Sequence, residues 1–237
     1  MTRWQEEMAQ RHLQAKLHRK RGEALRRKGD ETSAAAEFRA GVTVLEQIVD
    51  ELRRQSQWHD GGLSPSGDPW DGQVEIAREL VEAYGARGGM LRRLDAADEA
   101  LKSYREGASL EERFVQRSTY NRVNAVKFAL LSGASSLEGL SAGIVHLETL
   151  LTRQLSEDQE LGDSGWAWAD LGDCRALLGD VEGAERAYRT FVEKAGTNAP
   201  LATLDILRGI LEQLELTKDP KATAVAASLT ALEARLG

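Results

Sequence analysis

The sequence predicts an all-α protein: a right-handed α-solenoid of about five antiparallel helix pairs, ten helices in all. Three observations carry that expectation. The first is a spacing, G-x6-G-x4-A-x3-Y, present as Gly172, Gly179, Ala184 and Tyr188. It returns as Gly22, Gly29, Ala34 and Phe38, and again as Gly88, Asp95, Ala100 and Tyr104. Each copy reads as a helix, a tight turn and a second helix whose Ala and ring lie four apart on one face. The second is composition: only 4 Pro in 237 residues, 5% aromatics and few alternating β-branched runs. The third is that apolar residues recur at helical spacing along most of the chain.

Taken in order, residues 2–29 form a charged helix with Trp4, Met8, Leu13, Leu17, Ala24 and Leu25 as sparse apolar positions. Asp30, Thr32 and Ser33 are stop-and-cap residues, and a second helix follows over 32–55 on Phe38, Val42, Leu45, Ile48, Val49 and Leu52. Residues 56–72, SQWHDGGLSPSGDPWDG, are dense in Gly, Pro, Ser and Asp and make the longest break, with loop 56–68 before a cap at Asp68 and Pro69. The third helix, 69–89, uses Val74, Ala77, Leu80, Val81 and Tyr84, and the fourth, 94–113, uses Ala97, Leu101, Tyr104 and Leu110. A fifth runs from Ser118 or Thr119 to Gly133, and Ser135 with Glu138 gives a capping-box spacing for a sixth on Leu140, Ile144, Leu147, Leu150 and Leu151. This third pair lacks the repeat spacing. The best copy occupies 164–178 and 181–195, Pro200 opens a ninth helix, and Asp219 with Pro220 starts the tenth. The hairpins therefore span about 2–55, 69–113, 118–155, 164–195 and 200–236, in a single domain over 1–237. Stacked sequential hairpins give a concave and a convex side.

The net charge is −7, which disfavours non-specific nucleic-acid binding by the chain as a whole. Residues 1–30 differ, with nine Lys/Arg against four acids. Cys174 is the single cysteine, so no intramolecular disulfide forms, and it reads as buried and inert. No apolar run approaches the roughly 20 residues of a membrane span, nor the core of a signal peptide. A cytoplasmic protein is expected.

The copy WADLGDCRALLGDVEGAERAYRTF resembles a tetratricopeptide repeat (TPR), with Trp168, Leu171, Gly172, Gly179, Ala184 and Tyr188 at that family's signature positions. Arg175 stands where an aromatic is usual and Phe191 where a small residue is usual. Over residues 70–195 the order of segments is similar to bacterial TPR-containing proteins and, more distantly, to the TPR-like regulatory region of apoptosis signal-regulating kinases; that likeness implies a regulatory scaffold without chemistry of its own.

In TPR proteins the first helix of each pair lines a groove that holds extended peptides. The resemblance carries those offsets onto Lys16, Arg19, Glu23, Arg26 and Arg27, then onto Glu82, Gly85, Gly89, Arg92 and Arg93. In the best copy they fall on Trp166, Ala169, Asp173, Ala176 and Leu177. Residues 16, 19, 23 and 26 form one helical stripe by geometry alone. A basic groove suits an acidic segment, a terminal carboxylate or a phosphate. The same stripe also reads as a solvated charged face. Asn121, Asn124 and Lys127, with Tyr120, form a polar stripe able to bond a peptide backbone, or are ordinary first-turn residues. Trp166 and Trp168 point to different sides of one helix, so one is core and the other groove or interface.

His12, His18, His59 and His146 show no i,i+4 pairing and no carboxylate at a ligand spacing, so neither metal nor cofactor is expected. No nucleophile elbow, Walker or dinucleotide fingerprint is present. The carboxylates read as lying on exposed helical faces. The expectation is a non-enzymatic interaction protein that binds a protein or peptide partner. Nucleic-acid or phosphate binding by the basic first helix is the alternative; chemistry in the 56–72 loop and self-association into a homo-oligomer are further readings.

Overall fold

The computed structural model describes residues 3–58, 71–115, 118–157, 165–195 and 204–236. Among them lie ten helices and no strand: α1 Arg3–Arg27, α2 Glu31–Trp58, α3 Asp71–Arg93, α4 Ala97–Phe114, α5 Tyr120–Leu131, α6 Leu137–Glu157, α7 Trp166–Leu178, α8 Val181–Ala195, α9 Asp205–Leu216 and α10 Ala222–Leu236. The chain is thus all-α and built of helical hairpins. Residues 56–58, expected in the long break, continue α2 instead, and α3 is helical from Asp71. Asp68, Pro69, Trp70 and Pro200 lie outside the described residues.

The repeated spacing has one physical cause in all three copies. A Cβ placed on Gly22 would sit 2.5 Å from the Phe38 ring, on Gly88 2.6 Å from Tyr104, and on Gly172 2.6 Å from Tyr188. Each glycine is where the ring of the second helix presses on the backbone of the first. The partner alanines Ala34, Ala100 and Ala184 are fully buried, and so are the three rings. The second position of the spacing is a turn. Gly29 and Gly179 have φ of +80° and +84°, and Asp95, which replaces glycine in the middle copy, adopts φ 57°. Asp tolerates this left-handed region better than most side chains. Asp30 and Asp180 then cap the second helices, accepting from Ser33 N at 3.0 Å and Gly183 N at 2.9 Å.

Two compact units divide the chain, Met1–Arg122 and Val123–Gly237. In the first, α1 packs on α2, α2 on α3 and α3 on α4. Phe38, Leu45, Ile48 and Leu52 of α2 and Tyr104 of α4 anchor its core. On α1 the buried line is Met8, Ala15 and Gly22, whereas Leu13 and Leu17 are exposed, contrary to their reading as the apolar face. Ala15 and Gly22 bring that stretch of α1 close to α2, where Gly22 lies against the Phe38 ring.

In the second unit, α6 packs on α7, α7 on α8, and α10 on α7, α8 and α9. The last hairpin also reaches the third. Gly209 of α9 abuts Leu131, Gln213 abuts Gly133, and Asp219 Oδ2 accepts from Leu137 N at 2.9 Å. The first turn of α6 is therefore capped by Ser136, whose Oγ accepts from Gly139 N, and by an aspartate 82 residues away, rather than by Ser135 with Glu138. A strictly nearest-neighbour array makes no such contact.

Candidate functional site

The two units treat their first-helix faces differently. In the first unit, α1 and α3 lie side by side. Arg93 donates to Glu23 at 2.6 Å and to the Gly89 carbonyl at 2.7 Å, and Arg26 donates to the Arg93 carbonyl at 2.8 Å. Arg26 also pairs with Glu31 at 2.9 Å and stacks over the Phe38 ring. Lys16, Arg27, Arg92 and Glu82 are exposed, and Arg19 is half-buried. Burial, first of all, pulls the Arg93 guanidinium below the ordinary arginine range; repulsion from Arg92 and Arg19 adds to it, and Glu23 opposes it. Arg19, Arg92 and Arg93 thus form a cationic cluster, with Glu23 paired to Arg93. Four cations of the expected stripe keep side chains available to a ligand: Lys16, Arg19, Arg27 and Arg92. Arg26 and Arg93 already spend hydrogen bonds on joining the two helices.

Gly85 and Gly89 are buried beneath Tyr120, whose ring would meet a Cβ on Gly85 at 3.0 Å. Tyr120 also stands edge-on to Tyr104, with centroids 6.1 Å apart. This ring closes the middle of the α3 face.

Asn121, Asn124, Lys127 and Asp173 are not open to a ligand, contrary to their placement in a groove. They are 1%, 3%, 6% and 4% exposed. Asn121 donates to the Val81 carbonyl and to Glu111, each at 3.0 Å, so its amide holds its own unit together. A Cβ on Gly107 would collide with that amide at 2.5 Å. Glu111, fully buried on α4, accepts from Ser118 Oγ at 2.7 Å and from the backbone N–H groups of Asn121 and Arg122 at 3.0 Å each. It caps α5 with a full negative charge at the helix N-terminus, where the dipole favours one. Nothing in the local pattern of ASLEERF marks Glu111 as buried.

Lys127 lies between Asp173 at 2.6 Å and Asp170 at 3.0 Å, and Tyr188 donates to the other oxygen of Asp173 at 2.8 Å. Burial alone would lower the lysine's pKa; the two carboxylates outweigh it and raise it above the ordinary range. Burial, with Asp173 close by, pushes the Tyr188 hydroxyl well up. Burial likewise raises the Cys174 thiol, so that cysteine is an inert core side chain. The network is fully partnered and structural. It corrects the reading of the carboxylates as lying on exposed helical faces, and the clue in the sequence was Asp170 and Asp173 one turn apart on a helix whose one other charged residue is Arg175.

Trp166 is 64% exposed and rests on Phe191 with ring centroids 5.2 Å apart, while Trp168 packs partly buried against the core. Ala169, Ala176 and Leu177 are buried. The α7 face is therefore closed apart from Trp166.

No family model matches the chain, and no curated protein does. Among solved structures it is similar to the TPR2AB domain of yeast Sti1 in complex with pHSP90, at 10% identity and a TM-score of 0.21, over 92% of this chain and 98% of that chain. A likeness that distant carries no argument. The helical-hairpin reading stands on the chain's own packing, above all on the three glycine–ring contacts. Among the described residues no helix is long and apolar enough to cross a membrane.

Proposed function

We propose that the protein is an interaction module whose α1–α3 face binds an acidic or carboxylate-bearing segment of a partner protein. One observation carries the reading: Arg19 and Arg92 lie close enough to Arg93 to repel it, with Glu23 as the acid that pairs with it, while Lys16 and Arg27 extend the same charge along α1. Unbalanced cations on a half-buried face are repulsive until an anion arrives, and guanidinium groups suit carboxylates through paired N–H donors. From Lys16 to Arg27 the helix rises about 16 Å, the length of roughly five residues of extended peptide.

The experiment is a fluorescence-anisotropy titration with a labelled peptide of alternating Asp and Glu and a free C-terminus, at two salt concentrations. Saturable binding that weakens with salt and falls about tenfold or more in the Arg27→Glu, Arg92→Glu double variant is expected. Affinity unchanged by that charge reversal overturns the assignment. A single-stranded oligonucleotide in parallel distinguishes a phosphate-backbone ligand, and tighter binding to it than to the peptide would overturn the peptide reading.

A further inference from the structure

We propose that His12, Glu79 and Glu82 form a binding site for a divalent first-row transition-metal ion, zinc above all, at the end of the α1–α3 seam away from the arginines. His12 comes from α1; Glu79 and Glu82 stand three apart on one face of α3. One nitrogen and two carboxylate oxygens lie within 4.8 Å of one another. The His12 side chain is only 13% exposed, and its Nε2 approaches Glu79 Oε2 to 3.1 Å. Yet that nitrogen, cut off from solvent, makes no hydrogen bond, so the approach is close without the alignment of an N–H···O bond. An imidazole nitrogen turned toward two carboxylates in this way asks for a cation between them.

The dimensions suit one. Zinc–nitrogen and zinc–carboxylate bonds are about 2.0–2.2 Å, so in a tetrahedral site two ligand atoms stand about 3.4 Å apart. His12 Nε2 and Glu79 Oε2, at 3.1 Å, already stand near that separation, and Glu82, on an exposed position, is the ligand that closes in by about 1 Å. Imidazole with carboxylates selects zinc, cobalt or nickel over magnesium or calcium. Three protein ligands leave a fourth position for water or a donor from a partner. Because α1 is held by few apolar side chains, an ion bridging it to α3 also fastens the first unit. Local spacing hides the site, since its ligands come from helices 67 residues apart in sequence, from His12 to Glu79. It stands apart from the cationic cluster: His12 and Arg19, the member of that cluster on the same helix, are separated by about 10 Å of helix.

The test uses the full chain, stripped with EDTA, titrated calorimetrically with zinc chloride and followed by cobalt absorption spectroscopy. One ion per chain and a rise in melting temperature that EDTA reverses are expected. His12→Ala and Glu79→Gln each weaken binding by about tenfold or more, which a histidine ligand and a first-row ion require. Glu82→Gln, on an exposed position, keeps the fold and weakens binding as well. The Arg27→Glu, Arg92→Glu variant binds zinc as the parent does, which separates this site from the proposed peptide face. Absence of saturable binding overturns the proposal, as does His12→Ala binding zinc like the parent with its metal-free melting curve unchanged.

Discussion

Helices α1 and α7 open hairpins with the same spacing of glycine, turn residue, alanine and ring, yet they end in opposite surroundings. α1 keeps charged residues in water along most of its length, whereas α7 is enclosed by α6, α8 and α10, and Lys127 of α5 reaches its two aspartates. The repeat spacing fixes only the inner seam of a hairpin, where Gly22 meets Phe38 and Gly172 meets Tyr188. What lies on the outer face of the first helix is decided by whatever the rest of the chain lays over it. In the second unit that is the last hairpin, tied back through Asp219 and Lys221 to the start of α6.

The contrast breaks most visibly at Lys127. Replacing it by Met leaves Asp170 and Asp173 buried without their cation, and a loss of about 3–5 kcal/mol is expected in a denaturant melt. Adding Asp170→Asn and Asp173→Asn to that variant recovers part of the loss, because neutral amides need no counter-charge. A like-sized effect from Lys16→Met, on the exposed face, would erase the distinction between the units.

Alanine at Gly22 or Gly172 tests what the units share. Each Cβ meets the face of a fully buried ring, and both variants lose about 1–3 kcal/mol. Gly41→Ala is the control: its Cβ contacts the flexible end of Met90 and His18 Cβ, and costs less. Asp219→Ala removes the cap that ties the last hairpin to α6 and lowers stability by about 0.5–2 kcal/mol.

Alkaline pH sharpens the comparison further. Lys127, Tyr188 and Cys174 all have folded pKa values above their unfolded ones. Each therefore binds its proton more firmly when folded, and the stability it contributes is fully present below the unfolded pKa. That contribution falls as pH rises past about 8.5 for the thiol and about 10 for the tyrosine and lysine. Melting followed at Trp166 and Trp168 should decline across that range, and Cys174→Ala should remove the earliest part of the decline. The smallest effect is a gain. Asp95→Gly relieves a left-handed aspartate and raises the stability of the first unit by up to about 1 kcal/mol.

Much of the scaffold was legible because its signals are local. Glycine under ring, glycine or aspartate at a left-handed turn, and aspartate at a helix start all act within a span of about twenty residues. The surroundings of the first helices were not legible in the same way. Whether Lys127 meets water or two aspartates depends on α7, more than forty residues downstream, and the sequence presents it as one cation in a polar stripe. Leu13 and Leu17 misled for the opposite reason: apolar periodicity marks a buried face only where a neighbour covers it, and on α1 that side stays exposed.

Amine acetylation of the native protein, quantified lysine by lysine with mass spectrometry, tests most directly whether one face is open and the other closed. Lys16 and Lys20 should react as fast as the exposed Lys102, while Lys127 should stay unmodified until denaturant unfolds the second unit. Acetylation of Lys127 at the rate of Lys16 in the folded protein would contradict the account.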